Sequence, residues 1–552
     1  MSRMTSTSEI QAFHKAHQSF FNTNATRPLS WRRHQLKQLI KLLEENYDEL
    51  SAALNKDLGK TPFEGQVTEI EVTISESKEA LACLEKWCAP SSVGAPGVLV
   101  PAFCSIRHEP RGVVLIIGPF NYPISTCVGP LVSVFAGGNV AALKPSEMCP
   151  ATSAAIKRTM PRYFDASVVS VVEGAIPETT DLMSLAWDLV FFTGSERVGT
   201  IVAQAAAKTL TPCVLELGGK SPLLVTESPP HLQTMCNRIM WGKTINAGQT
   251  CVAPDYVLCH RSVLEPFVQG LKAAAKDMFG DDVKGGGIFS RNVSEFHTQR
   301  LVDMVKECEA NKKCTIVMGG SKDASVKDRY LAPTIVLMDS PQDVKILKEE
   351  IFGCILPIMP YDTEAEAVAY INAMRGTPLA FYCFTTSASQ YERLLDKIPS
   401  GGTVRNDVLL HFAVSTLPFG GLGTSGYGSA HGIHGFETFT HKRGVLDKPC
   451  HPAFEFGGIR YPPYNKYGGM SGATFKVLLR LLPELPPFDG ASNLLRKLAG
   501  VTAILVAVGV GVARMGGGDG GQIVAQATEA GRRVAHTVGN VAGVIPDWLR
   551  KL

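Results

Sequence analysis

Several protein classes are excluded by what this 552-residue chain lacks. Its 14 cysteines include no C-x2-C pair. The close pairs Cys83/Cys88, Cys251/Cys259 and Cys308/Cys314 do not have the spacing that brings two thiolates onto one zinc, so no metal site is expected. The opening MSRMTSTSEIQAFHKAHQ holds no apolar segment long enough for a secretory signal. No signal peptide is therefore expected, and the thiols should be free, most of them as small buried hydrophobes. A charge excess is missing too. The chain has 54 Lys and Arg against 51 Asp and Glu, and a net charge of +3 is too weak a field to gather nucleic acid. With 45% hydrophobic and 19% charged residues it is neither disordered nor fibrous, and its length calls for more than one domain.

What is present is an alternation of elements. Residues 30–90 read as helical. Leu36, Leu39, Ile40, Leu43, Leu50 and Leu54 recur at helical spacing, with Ser30 as N-cap and Gly59 as stop. A second amphipathic helix follows in EIEVTISESKEALACLEKW. APGVLVPAFCSIR suits a protruding hairpin, and RGVVLIIGP a strand buried on both faces. From Gly112 to Glu216 the runs VVLIIG, NVAALKP, VVSVVEG, LVFFTG and CVLELGG alternate with helical segments, the order of a doubly wound parallel sheet. A second α/β unit continues to about Gly402 through SPLLVT, a helix around Leu232–Asn246, DYVLCH, CTIVMGG and CILPIMPY. The stretch to Lys448 is loop-rich.

The far end differs in kind. Leu498 to Ala513 is a run of 16 uncharged residues, short of the roughly 20 that span a bilayer. After a glycine-rich break, Ile523, Ala527, Ala530, Val534, Val538, Val541 and Ile545 recur at steps of three or four beside Arg532 and Arg533. A basic amphipathic segment next to a short apolar run resembles an interfacial membrane anchor; a helical hairpin packed on protein is the alternative.

Four constellations carry chemistry. Cys251, in GQTC after a helical run, can act as a thiolate nucleophile if a turn and nearby helix dipoles lower its pKa. Glu216 ends an apolar strand before Gly218 and Gly219, at the edge where a doubly wound sheet holds its ligand, and can serve as general base for a water. A salt bridge to Lys220 is the plainer alternative for this carboxylate. Asn121, in GPFNYP, leaves another strand and can donate to a developing oxyanion, or simply serve a turn. Lys144 and Glu147 in LKPSE, and Gly194, Ser195 and Gly199 in FFTGSERVG, also follow strands. Neither motif carries the G-x-G-x-x-G fingerprint, yet a glycine opening a helix still admits a pyrophosphate, and Lys144 and Glu147 can bond ribose hydroxyls. A glutamate there repels a 2′-phosphate, which favours NAD over NADP.

Taken together and in this order, GPFNYP, LKPSE, FFTGSERVG, LELGGKSP, GQTC, EEIFG and PFGGLGTSG resemble the aldehyde dehydrogenase superfamily over roughly residues 27–464. Asn-Tyr-Pro, the segment from Asn406 to Arg443 and RYPPY are similar to its class 3 branch, and the C-terminal extension to its membrane-bound fatty aldehyde and fungal apocarotenal dehydrogenases. The resemblance implies an α/β fold with a Rossmann-type NAD domain (1–92 and 109–216), a second α/β catalytic domain (217–402), a β bridging arm (93–108 and 403–448) and a helical tail (449–552). It implies Cys251 as nucleophile, Glu216 as base and Asn121 as oxyanion donor. Glu350 and Phe352 should hold the nicotinamide ribose and ring, Lys144 and Glu147 the adenosine ribose, and Gly194, Ser195 and Gly199 the pyrophosphate side. The implied reaction is NAD-dependent oxidation of long apolar aldehydes to acids through a thiohemiacetal and a thioester. Fatty aldehydes are the first expectation and apocarotenals the second. A homodimer at a membrane surface, on the cytosolic face of the endoplasmic reticulum, is expected. A non-catalytic scaffold of the same fold is the remote alternative, opposed by the joint presence of Cys251, Glu216 and Asn121.

Overall fold

The computed structural model describes residues 4–96, 99, 102–450, 462 and 484–485. The segments expected to meet a membrane, around 498–513 and 523–545, lie outside them. Among the described residues no helix is long and apolar enough to cross a membrane.

Met1–Trp87 and Glu109–His441 form one compact unit containing two large sheets. In the six-stranded sheet the order is Gly426–Tyr427, Cys213–Glu216, Leu189–Thr193, Val113–Ile117, Val140–Lys144 and Val169–Val171. All neighbours are parallel except Gly426–Tyr427, which runs antiparallel to Cys213–Glu216 with Gly426 opposite Glu216. Every residue of Val113–Ile117, Val140–Lys144 and Leu189–Thr193 is buried, which explains their continuous rather than alternating apolar sequence.

The second sheet has seven strands, in the order Cys314–Met318, Thr334–Met338, Ile355–Tyr361, Tyr256–His260, Pro222–Val225, Ala380–Phe384 and Gly402–Arg405. Only Cys314–Met318 is antiparallel to its neighbour. The side-chain period of two sends Tyr256, Leu258, Phe381 and Cys383 into one apolar core and Val257, Cys259, Tyr382 and Phe384 into the other. The sequence places the end of this unit at 402, which is the first residue of its last strand; Gly402, Thr403, Val404 and Arg405 pair with Ala380–Cys383.

The described residues of Cys88–His108 and Lys442–Cys450 belong to the other unit; Ser91–Val93, which precedes the segment expected to form a hairpin, pairs antiparallel with the strand Phe103–Pro110. Ala95–Pro96 pairs with Glu484–Leu485.

Two helical expectations need correction. A helix the sequence reading passed over, Thr7–Asn22, opens the fold; Ser6 and Glu9 form its capping box, a signal present as S-x-x-E. The expected helix from Ser30 starts instead at Leu29, with Pro28 as cap, and divides at Asn46. The Asn46 amide donates back to the Leu42 carbonyl at 2.7 Å, ending the first helix before Tyr47–Leu58 begins. Gly59, at φ 66°, does terminate the second helix.

Candidate active site

The strand order places a crossing point beside Val113–Ile117. From this strand the chain moves outward through Val140–Lys144 and Val169–Val171, then returns on the other side to Leu189–Thr193. Ligands bind at the carboxyl ends of strands at such a point. A cavity of about 1410 Å³ opens there, and Cys251, Glu216, Asn121, Lys144, Glu147, Gly194, Ser195, Glu350 and Phe352 all line it. Of the residues singled out in the sequence, only Gly199 is not on the wall. A β-carbon on Gly199 would lie 2.6 Å from a methyl of Leu217, so this glycine lets its helix pack onto the chain leaving the Glu216 strand.

Cys251 reaches the cavity through an unusual turn. After helix Leu232–Thr244, three successive residues take positive φ: Asn246 at 52°, Ala247 at 53° and Gly248 at 78°. Only glycine fits the third position, since a β-carbon there would lie 2.4 Å from the Gly353 carbonyl carbon. The turn is pinned on both flanks. Tyr122 and Thr250 share a hydroxyl hydrogen bond of 2.7 Å, and the Tyr382 hydroxyl donates to the Val252 carbonyl at 2.6 Å.

The expectation of a lowered thiol pKa is overturned. Burial pushes the Cys251 thiol up to about 12, and the nearby Glu350 and Glu216 carboxylates push the same way. The backbone N–H groups of Cys251 and Val252 favour the thiolate but are outweighed. The preceding helix also arrives with its C-terminal, electronegative end.

Glu216 is buried at the last position of its strand. One carboxylate oxygen accepts from the Thr193 hydroxyl at 3.3 Å, and the other is buried with no hydrogen-bond partner. Burial pushes its carboxyl up to about 7; Glu76 adds to the rise, and His431 and the Thr193 bond oppose it. Such a group gains and loses a proton near neutrality. It is not the partner of Lys220, whose ammonium pairs with Asp255 and donates to the carbonyls of Ile346 and Glu349 at 2.8 and 2.9 Å. Lys220 and Asp255 thus hold the EEIFG loop in place, and Asp255 also accepts from the Ile351 N–H at 2.9 Å.

Asn121 is buried with its amide nitrogen 3.0 Å from the Gln249 carbonyl, leaving a second amide hydrogen for another acceptor. Its backbone carbonyl accepts from Lys60 at 3.0 Å and from the Asn246 amide at 2.7 Å.

Other residues of the cavity wall have the chemistry of a dinucleotide site. Lys144, almost wholly buried, bonds Glu147 at 2.7 Å, and both can reach ribose hydroxyls. Ser195 caps the 12-residue helix Glu196–Ala207, so an anion there meets a helix N-terminus. Glu350 sits against the Gly218–Gly219 turn, accepts from the Gly219 N–H, and is pushed up to about 8, chiefly by burial and then by Asp255. Phe352, at φ 50°, meets Phe120 edge-to-face at 5.7 Å. These residues fit NAD(P).

Sequence reasoning missed Lys60, Glu69, Glu76, Asn246 and His431. Asn246 did carry a signal, because Asn followed closely by Gly tolerates left-handed backbone. The others come from distant stretches and carried none.

A Rossmann-type sheet with a cysteine, a buried glutamate and an asparagine amide facing one cavity is the arrangement of an oxidoreductase acting on carbonyl compounds. Residues 1–445 match the aldehyde dehydrogenase family, and the chain belongs to that family. It is 41% identical to 4,4′-diaponeurosporen-aldehyde dehydrogenase of Staphylococcus aureus, over 81% of this chain and 95% of the relative. It is 39% identical to the dimeric NADP-preferring aldehyde dehydrogenase of Canis lupus familiaris, over 80% and 95%. Among solved structures, the substrate-bound state of Staphylococcus aureus AldH superposes with a TM-score of 0.79 at 39% identity, covering 85% of this chain and 98% of that one. The activity is oxidation of an aldehyde with a nicotinamide cofactor.

Proposed function

We propose that the protein oxidises long-chain apolar aldehydes to carboxylic acids with NAD, using Cys251 as nucleophile, Glu216 as base and Asn121 as oxyanion donor. The observation that carries this is the meeting of all three on the wall of one cavity. The Cys251 proton passes to the Glu216 carboxylate, directly or through a water, as sulfur bonds the aldehyde carbon. The charge on the aldehyde oxygen is met by the free Asn121 amide hydrogen and the Cys251 N–H; losing one such donor costs about 10²–10³ in kcat. NAD, when bound, supplies the acceptor for the hydride that leaves this carbon. Glu216 then gives the proton it took from sulfur to solvent. In the thioester that remains it takes a proton from water, the water oxygen bonds the carbonyl carbon, the C–S bond breaks, and that proton passes to the departing sulfur, so that acid is released with the thiol restored. Lys144, Glu147, Gly194, Ser195, Glu350 and Phe352 hold the cofactor.

Support for an apolar substrate comes from Val67, Trp241, Ile245, Leu410, Phe412 and Phe419, which line the same cavity as Cys251. Fatty aldehydes are the first choice. The name of the Staphylococcus relative keeps polyene aldehydes as the second. NAD is favoured because Glu147 beside Lys144 disfavours a 2′-phosphate. The apolar run 498–513 and the basic segment after it support a membrane surface as partner, and the dimeric relative supports a homodimer. Purified protein with and without residues 490–552 should be assayed for NADH formation on C6, C16 and carotenoid aldehydes, with and without liposomes. Preferred turnover of C16, lost with liposome binding on truncation, is expected. A preference for C6, or no effect of truncation, defeats the long-chain or the membrane assignment respectively.

A further inference from the structure

Behind Asn121, on the side away from the cavity, lies an ion pair with no part in the chemistry above. Lys60 and Glu69 are both 0% exposed and 2.6 Å apart. A buried pair of this kind contributes little net stability, because desolvation of two charges offsets their attraction. Its bonds here are directed. The Lys60 ammonium donates to the Asn121 carbonyl at 3.0 Å and lies 4.0 Å from the centre of the Tyr122 ring. Glu69 turns its other oxygen to the N–H groups of Ile124 and Ser125, at 2.8 and 3.2 Å. The pair therefore grips the Asn121–Ser125 turn at four points. The same turn is joined to the nucleophile loop. The Asn246 amide bridges the carbonyls of Asn121 and Gln249 at 2.7 and 3.2 Å, and the Tyr122 hydroxyl bonds Thr250, the neighbour of Cys251.

We infer that Lys60 and Glu69 are positioning residues for the oxyanion site: their buried pair fixes the Asn121 peptide so that its side-chain amide and the Cys251 N–H face one oxygen. This rests on the assignment of Asn121 above. The helix stop at Gly59 places Lys60 next in the chain, and its ammonium reaches the turn. The consequence is that the pair matters to the transition state and not to the binding of cofactor, whose assigned residues it does not bond.

The test is a mutant cycle on the full chain, combining K60M/E69Q with N121A. K60M/E69Q removes the charge pair while keeping an oxygen for Ile124 and Ser125. It is read by kcat and KM for aldehyde and NAD, and by hydrolysis of p-nitrophenyl acetate, which forms an oxyanion on Cys251 without hydride transfer. Misplacement by about 1 Å costs about 10²-fold. A fall of that order in both kcat and ester hydrolysis is expected, with KM for NAD within about twofold, and N121A should then add less than about threefold where alone it costs far more. Parental kcat in K60M/E69Q, or a full further loss on adding N121A, overturns the inference about Lys60 and Glu69 alone. Parental kcat and ester hydrolysis in the single N121A variant removes the assignment of Asn121, and this inference with it. Should K60M/E69Q fail to melt cooperatively, Glu69→Gln alone is put through the same cycle, and unchanged kcat there is equally an overturning result.

Discussion

A β-carbon on Gly218 would lie 2.3 Å from a carboxylate oxygen of Glu350, so the bare backbone of this glycine is what admits the carboxylate to the cavity wall. Gly218→Ala is expected to push Glu350 aside and weaken NAD binding about tenfold or more, the worth of one hydrogen bond to a charged group. Titration of the cofactor against protein fluorescence measures it. An unchanged Kd would separate Glu350 from cofactor binding.

With its carboxyl held near 7, Glu216 becomes a competent base as pH rises through neutrality. Steady turnover should therefore climb between pH 6 and 8 and then level. Glu216→Gln should release at most one equivalent of NADH, more slowly than the parent, and then stall at the thioester. A steady rate within about tenfold of the parent, with the same pH profile, would move the base role to another carboxylate.

The same buried carboxylate costs stability. Below its unfolded pKa, near 4.5, both states bind the proton and there is no penalty. Above about 7 both states lose it, and the rise is worth about 2–4 kcal/mol against the native state at about 1.36 kcal/mol per pKa unit. Glu216→Gln should accordingly raise the melting temperature at pH 8, and the gain should shrink as pH falls toward 4.5. A variant no more stable than the parent at pH 8 would show that the carboxylate is not desolvated as the fold indicates.

Cys251 should be a slow nucleophile before ligands enter. With a thiol near 12, its alkylation by iodoacetamide should rise about tenfold per pH unit between 7 and 9. Removing a neighbouring carboxylate with Glu350→Gln should accelerate it at pH 9, where that carboxyl is ionised in the parent. Mass spectrometry of the Cys251 peptide follows the rate. A fast, pH-independent reaction would place the thiol pKa below neutrality and restore the expectation drawn from its turn.

The amino-acid sequence by itself determined the layered α/β architecture, because strands buried on both faces must be apolar throughout and helices between them must repeat every three or four residues. It also marked Cys251, Glu216 and Asn121, each beside a turn-forming glycine or proline at a strand or helix end. Tertiary structure decided the rest. The thiol pKa rose rather than fell chiefly because the fold buries Cys251, and further because Glu350 and Glu216, distant in the chain, arrive at the same cavity. Gly199 left the cavity wall because Leu217 occupies the space beside it. Lys60, Glu69, Glu76 and His431 gained their places through pairings across as many as 355 positions of sequence, and local propensity carries no record of such contacts. Desolvation and charge proximity depend on which side chains the folded chain gathers, and that is fixed only when the sheets close.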